Sequence, residues 1–331
     1  MKHLFPENGT FYKANLHAHT NLSDGTLSPS EVKALYKENG YDIVAFTDHE
    51  VMVDQSDLCD DSFLALNGYE MSFARAGRST PTTPTCHLNL IAKSSAVKTQ
   101  IAVDFSLLNK KQTEALSGYA PFQRVYDTAN INEVLSLCSE AGFFPVLNHP
   151  FWSLQDPKDF SLFEGILGVE VYNHLCRKNG SADKSAAALD AFIEKGKFPL
   201  PLACDDNHNQ LPQGDPLFDS FGGFEMICAP SLSYDAVIEA LEAGYAYAST
   251  GPLFESLTSE DGYLCFHTSP IKEARLISDT RANQALLLSR EGESMTYGRL
   301  KIPEAASYVR LEITDEQGNL AWTRAYLSSE I

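Results

Sequence analysis

The chain reads as an α/β protein: a parallel sheet or barrel over roughly the first 250 residues, followed by a small antiparallel β-sandwich-like domain. Strand-like runs alternate with helix-like ones as far as Ser249-Thr250-Gly251-Pro252, which is the rhythm of repeated βα units. Beyond that point the runs are β-rich with no helical period between them. A third observation concerns chemistry: most of the histidines follow apolar, β-rich runs, so they fall at predicted strand ends, where a rigid scaffold can aim several side chains at one point. At 331 residues the chain exceeds the usual single-domain size, although a barrel of roughly 250 residues still forms one unit. One large unit over 1–250 and one appendage over 251–331 is therefore expected.

The first βα unit is the clearest. Ala14 to His19 reads as a strand, and Ser28-Pro29-Ser30-Glu31 is a capping box with proline at the first helical position, starting a helix that runs through Lys37. Asn39-Gly40 ends that helix, and Tyr41 to Thr47 is the next strand. The rhythm returns in the helix from Ile131 to Cys138, closed by Ala141-Gly142, before the strand Phe143 to Asn148. Gly168 to Tyr172 is a further strand, Ser185 to Lys195 a helix, and Phe198 to Cys204 a strand. In the appendage, Ala274 to Ile277 and Tyr308 to Ile313 read as strands, with Asp315-Glu316-Gln317-Gly318-Asn319 as a hairpin turn. Residues 93–130 show no clean period and read as an insertion over the opening of the larger unit.

Lys and Arg number 25 and Asp and Glu 44, a net charge of −19. Such a surface repels a phosphate polymer, which argues against nucleic acid as a partner, while a bound cation cluster would still make one pocket electropositive. No run of about 18 apolar residues is present to span a bilayer, and Met1-Lys2-His3-Leu4-Phe5-Pro6 lacks a signal-peptide core. A soluble, cytoplasmic protein without membrane contact is expected. The seven cysteines are dispersed and form no Cys-x-x-Cys pair, so they read as buried reduced thiols.

Six of the nine histidines belong to short motifs ending in metal-binding residue types. In order these are His17-Ala18-His19-Thr20, Ser23-Asp24-Gly25-Thr26, Thr47-Asp48-His49, Gly68-Tyr69-Glu70, Cys86-His87-Leu88, His149-Pro150 and Asp206-Asn207-His208. Residues two apart on a strand share a side, so His17 and His19 can grip one cation. Glu70 can bridge two cations. Imidazole and carboxylate without thiolate favour Zn, Mn or Fe over softer metals. His3 and His267 lie outside any motif.

The order, spacing and strand-end placement of these motifs resemble the polymerase-and-histidinol-phosphatase (PHP) superfamily of metallohydrolases over about residues 11–250. That resemblance implies a distorted (β/α)7 barrel and a cofactor of two or three divalent metal ions. Carried over by position, it implies His17, His19, Glu70 and Asp206 around one metal; Glu70, His87 and His149 around a second; and Asp24, His49 and His208 around a third. A metal-activated hydroxide attacking phosphorus is the chemistry implied. Asn15 departs from the family, which usually carries an acidic residue before His-x-His, so an altered layer of support behind the ligands is expected there. The segment Gly244 to Pro252 and the following β domain are similar to the two-domain CehA/McbA type, whose members include proposed carboxyl-ester hydrolases.

Four further residues are candidates outside the ligand set. His174 follows a predicted strand, where it can contact phosphate or protonate a leaving group. Arg75, Arg78 and Arg177 follow predicted strands, where a guanidinium can clamp phosphate. Asp48 should face away from the ligands and support them, and Asp205 is the alternative to Asp206 if the strand register shifts. The stretch Ser79-Thr80-Pro81-Thr82-Thr83-Pro84 lies between Glu70 and His87 and should border the pocket. The function expected is a metal-dependent phosphoesterase acting on a small phosphorylated metabolite, a monoester or small phosphodiester. Hydrolysis of carboxyl esters or amides by the same centre, and a metal-stabilised scaffold without catalysis, are the alternatives.

Overall fold

The computed structural model describes residues 1–74, 81–181, 186–281 and 285–331. After a short strand β1 (Lys2–His3), the barrel begins with β2 (Thr10–Ala18), helix α1 (Pro29–Glu38), β3 (Ile43–Phe46) and β4 (Leu64–Ala74). The capping box read from the sequence forms: Glu31 N donates to Ser28 Oγ at 3.4 Å, and Ser28 N to Glu31 Oε2 at 2.8 Å. Next come β5 (Thr85–Ala92), α2 (Lys110–Ala115), α3 (Thr128–Ala141), β6 (Phe143–Asn148), α4 (Pro157–Phe160) and β7 (Gly168–Asn173). Gly142 ends α3 in the left-handed region at φ 78°, as glycine there should. A short helix α5 (His174–Lys178), α6 (Ala187–Ile193), β8 (Leu200–Cys204), β9 (Phe224–Ala229), α7 (Tyr234–Ala243) and β10 (Ala246–Ser249) complete this half.

Strands β2 to β8 follow one another in spatial order. All run parallel except β5, which pairs antiparallel with both β4 and β6. The ring closes where the ends of β2 and β8 meet: Asp206 N donates to His17 O and His19 N to Asn207 O, each at 3.0 Å. Lower down the seam β9 lies antiparallel beside β2, and Ala203 N of β8 donates to the Glu225 carboxylate of β9. The result is a distorted seven-stranded barrel, closed at the end that carries the histidines. Leu16, Ile43, Leu66, Val146 and Leu202 are among the residues filling its interior. The antiparallel β4–β5–β6 stretch departs from simple βα alternation. It also places Glu70 and His87 within strands rather than at their ends, because the eleven-residue β4 continues past Glu70 to pair with β5.

The C-terminal half adds β11 (Phe254–Glu260), β12 (Tyr263–Ile271), β13 (Glu273–Ser278), β14 (Leu286–Leu288), β15 (Met295–Lys301), β16 (Tyr308–Thr314), β17 (Leu320–Thr323) and β18 (Tyr326–Leu327). One antiparallel sheet has the order β1-β11-β12-β15, so Lys2–His3 forms its edge. The other, β14-β13-β16-β17, continues through β10 and β9 into the barrel sheet. Leu257, Leu264, Phe266, Leu276, Leu311 and Ile313 pack between the two, giving a β-sandwich. No helix among the described residues is long and apolar enough to cross a membrane.

Candidate metal centre

The closed end of the barrel gathers all nine ligand candidates. Their donor atoms fall into four groups, each with every atom within 4.8 Å of the others: His19, Asp24, His49 and His208; His17, Glu70 and His149; His17, His19 and Asp206; and His49, Glu70 and His87. Glu70 lies at the centre. Its Oε1 is 3.0 Å from His87 Nδ1, 3.3 Å from His149 Nε2 and 3.5 Å from His17 Nε2; its Oε2 is 2.9 Å from His49 Nδ1 and 3.4 Å from His19 Nε2. Asp206 Oδ1 sits 3.3 Å from His17 Nε2 and 3.1 Å from His19 Nε2. Asp24, half exposed at the rim, faces His49 and His208 at 3.6 and 3.4 Å.

Local folding explains why these side chains converge. A register shift in β2 between Asn15 and Ala18 breaks the strand's alternation, so His17 joins His19, one residue past the strand, with their Nε2 atoms 3.1 Å apart. The loop bearing Asp24 is folded around Asp48, whose carboxylate accepts from Thr20 N, Ser23 N and both neighbouring hydroxyls at 2.7–3.1 Å. Gly25 packs directly on that loop; a Cβ there would lie 2.7 Å from His19 O. Asp205 turns away from the centre and accepts from Phe221 N, Gly222 N, Gly223 N and Tyr36 Oη, fixing the segment after Asp206. Asn15 bridges the barrel seam: its Nδ2 donates to Asn207 Oδ1 and His17 O, and its Oδ1 accepts from Asp205 N. An amide can both donate and accept there, which a carboxylate cannot.

Three buried polar residues escape a motif reading. Glu170 Oε1 accepts from His17 Nδ1 at 2.8 Å, and its Oε2 accepts from His149 N at 2.7 Å and Asn173 Nδ2 at 2.9 Å. Asn173 also donates to Asp206 Oδ2 at 3.1 Å, and Asn148 Nδ2 to Glu70 Oε1 at 2.8 Å. Their only sequence signal is a polar side chain inside an otherwise apolar strand, as in Gly168-Val169-Glu170-Val171. The hydrogen bonds orient the rings. With Nδ1 of His17 committed to Glu170 and Nδ1 of His208 to Asp206 O, at 2.9 Å, both rings turn Nε2 toward the centre.

Burial opposes charge throughout, and the neighbours decide the outcome. Asp206, Glu70 and Glu170 overcome burial and raise the His17 pKa well above the ordinary imidazole value. Against the same burial His49 is raised to about 9, chiefly by Glu70, and His208 to about 9, chiefly by Asp24. Burial together with His49 and His208 lowers His19 to about 4. Glu70 and Asp206, though buried, stay well below the usual carboxylate range, because His49, His87 and His17 face the first and His17 and His19 the second. Ionised carboxylates interleaved with imidazole nitrogens, with no cysteine in any of the four groups, form a donor set that fits divalent cations.

The remaining candidates lie elsewhere. The His174 ring packs against Gly222, with Nδ1 2.7 Å from Tyr172 Oη; burial, with Lys178 adding, lowers its pKa to about 4. It is not among the residues that line the cavity over the centre. Arg177 is exposed on α5 and donates to Ser181 O at 3.0 Å, also outside that lining. Arg75 and Arg78, with Ser79 and Thr80 of the Pro/Thr-rich stretch, lie outside the described residues. The cavity measures about 200 Å³ and is lined by Glu70, Asp24, Asp206, four of the histidines, and Trp152, Leu175, Cys176 and Asn179.

The PHP domain family model matches residues 15–191. No curated protein matches the chain significantly. Among solved structures, a two-domain protein from Bacteroides vulgatus containing a predicted PHP-like metal-dependent phosphoesterase is similar over 98% of this chain and 98% of its own, at 15% identity and a TM-score of 0.48. A protein from Bifidobacterium adolescentis, described as a metal-dependent phosphoesterase by inference, is similar over 62% of this chain and 92% of its own, at 15% identity and a TM-score of 0.39. An amidohydrolase from Chromobacterium violaceum, with sulfate bound and no metal, is similar over 61% of this chain and 89% of its own, at 16% identity and a TM-score of 0.40.

Proposed function

This chain belongs to the PHP domain family, and from that premise we propose that it is a metal-dependent hydrolase of phosphate esters, acting on a small monoester or phosphodiester. The observation that carries the reading is Glu70, a buried carboxylate with imidazole nitrogens of His17, His87 and His149 around one oxygen and of His19 and His49 around the other. A carboxylate so surrounded is placed to be shared between cations. In this proposal His17, His19 and Asp206 join Glu70 at one position, His87 and His149 at a second, and Asp24, His49 and His208 at a third, with Zn, Mn or Fe as the candidate ions. When bound, such cations supply Lewis-acid charge to the ester and make water acidic enough to attack near neutral pH.

The protein's own groups do the positioning. Glu170 holds the His17 ring, Asn173 holds Asp206, and Asp48 holds the loop that presents Asp24 at the rim. The nine candidate side chains come from separate strands and loops of one closed barrel, so their spacing resists change when charge develops on the substrate. The cavity of about 200 Å³ is smaller than the roughly 300–1,000 Å³ of sites that enclose drug-sized ligands, which suits a reacting group of phosphate size with the rest of the substrate crossing the rim.

The test is hydrolysis of p-nitrophenyl phosphate, bis-p-nitrophenyl phosphate and p-nitrophenyl acetate with Mn, Zn and Fe added separately, beside Glu70→Gln and Asp206→Asn proteins. Turnover of a phosphate ester that disappears in both variants is the expected result. Turnover of the acetate alone would replace phosphoester with carboxyl-ester chemistry, and undiminished activity in either variant would refute the assignment of the centre.

A further inference from the structure

Two segments after β8 bring His208 to the rim, and they are laced to each other. Asp219 accepts from His208 N at 2.7 Å and from Asn209 N at 3.0 Å, and Asn209 Nδ2 donates to Ser220 Oγ at 2.7 Å. Asp205 takes the backbone amides of Phe221, Gly222 and Gly223 at 2.8–3.0 Å. Asp206, Asn209 and Phe221 adopt positive φ, 55°, 53° and 71°, conformations that non-glycine residues keep only where the surroundings impose them. Those surroundings include α5, which grips the two segments at three points. Leu175 N donates to Asp205 O at 3.0 Å, and Lys178 Nζ donates to Pro216 O at 2.7 Å. Between them the His174 ring lies on Gly222 so closely that a Cβ there would sit 1.8 Å from Nδ1. His208 O in turn accepts from Thr26 N at 2.9 Å, in the loop that presents Asp24, so displacement of His208 is felt there too.

We infer that His174 is a positioning residue for His208: seated between Tyr172, Gly222 and Phe218, it holds the segment that carries Asp219, and Asp219 sets where the His208 imidazole stands beside Asp24 and His49. This rests on the metal-centre reading above. With its pKa lowered to about 4, the half-buried ring is neutral at ordinary pH. In that form Nδ1 accepts from Tyr172 Oη at 2.7 Å, which leaves the other nitrogen to donate toward the Phe218 backbone, the ring's second polar neighbour. Phe218 directly precedes Asp219, so the ring fixes one end of the segment by polar contact and Gly222 by packing. The outermost cation position, formed by Asp24, His49 and His208, is the one that depends on this hold. The inner ligands have their own supports: Glu170 for His17, Asn148 for Glu70 and Asn173 for Asp206.

The test begins with the metal-free protein. In His174→Ala, hydrogen exchange should quicken in peptides that contain His208 and Asn209, whose amides Asp219 holds, and keep the wild-type rate in peptides of β3 and β6. Calorimetric titration with Mn should then show the weakest-bound ion weakened by about 10–100-fold and the tighter ones unchanged. His174→Gln, whose amide can accept from Tyr172 and donate toward Phe218, should recover much of both, and His174→Leu, which fills space without the polar contacts, should recover less. Asp219→Asn should reproduce the loss. The double variant should lose no more than Asp219→Asn alone, because His174 acts through Asp219. Wild-type exchange at His208 and Asn209 in His174→Ala overturns the inference, as does exchange that rises throughout the barrel, or losses that add in the double variant. The two readings fail separately. A wild type that hydrolyses none of the nitrophenyl phosphates, beside quickened exchange and a weakened outer ion in His174→Ala, keeps the positioning role and removes the phosphoesterase. Asp206-dependent hydrolysis of a phosphate ester beside unchanged exchange leaves the phosphoesterase and removes the positioning role.

Discussion

Glu170 shows what a carboxylate does when it stands behind a candidate ligand. It touches His17, His149 and Asn173 at once, so replacing it with glutamine keeps the shape but removes the charge that fixes the His17 ring. Partners of this kind typically change metal affinity by about 10–100-fold when altered. Glu170→Gln is expected to show that loss in competition with a chelator while its far-ultraviolet circular dichroism stays that of the wild type; unchanged affinity would refute the role. The motif residues were legible because His-x-His and Asp-x-His carry their spacing with them, whereas Glu170, Asn148 and Asn173 are single polar residues whose importance depends on strands remote in sequence. Glu225 is a second residue of this kind. Burial, with Glu170 and Asp205 nearby, raises its pKa well above 4.5, against the backbone bond from Ala203. A raised folded-state value means that its contribution to stability is complete below the unfolded value of about 4.3 and is lost as pH climbs through the folded one. Glu225→Gln, which cannot ionise, should therefore gain in melting temperature relative to the wild type as pH rises from about 5 to 8. A difference that stays constant across that range would exclude a protonated Glu225.

At the scale of elements, the contacts made by the insertion read over residues 93–130 explain why periodicity fails there. Its conformation is dictated by polar contacts rather than by one apolar face. Gln112 Nε2 donates to His49 O at 2.9 Å, Gln100 Nε2 to Glu50 O at 3.0 Å, and the buried Arg124 guanidinium pairs with the Glu50 carboxylate. The segment His49–Glu50, with Glu50 at φ 65°, is thus clasped from outside the barrel, and that clasp sets the position of His49. Removing Arg124 leaves Glu50 buried with, among the described residues, the Ser72 backbone and hydroxyl as its remaining donors, at 3.1 and 2.7 Å. Breaking a buried pair costs about 3–5 kcal/mol. Arg124→Met should fall by that order in urea denaturation, and adding Glu50→Gln should recover a substantial part, since the unpaired charge is then gone; a double variant as unstable as the single would show that the loss comes from packing against Phe73 instead. The antiparallel pairing of β5 with β4 and β6 was hidden for a related reason. These strands are as apolar as parallel ones, so direction is settled by the connections and by pairing across the sheet, not by composition.

At the scale of the molecule, the sequence change after residue 250 marks a change of architecture without marking a break in the sheet. β10 pairs with β17, so hydrogen bonds run unbroken from the barrel into the sandwich. Trp322 of β17 is 1% exposed and packs with the barrel cluster rather than with the sandwich interior, and Arg310 of β16 reaches Asp190 of α6 at 2.8 Å. Leu4 and Phe5 add residues from the start of the chain to the sandwich core. Interfaces that share a sheet, a buried tryptophan and an ion pair from a buried arginine should not separate before either half melts. Cation binding supplies the means to test this, because a ligand held only by the folded barrel stabilises everything that unfolds with it. Each half carries an indole probe: Trp152 beside the metal centre and Trp322 at the junction. In a Trp152→Phe protein and a Trp322→Phe protein, the remaining indole should report the same melting temperature for its variant as calorimetry does, and added Mn or Zn should raise the whole transition. Trp322→Ala should lower it by an amount equivalent to about 3–5 kcal/mol. Two calorimetric transitions, only one of them shifted by metal, would instead show that barrel and sandwich fold as separate units despite the sheet that joins them.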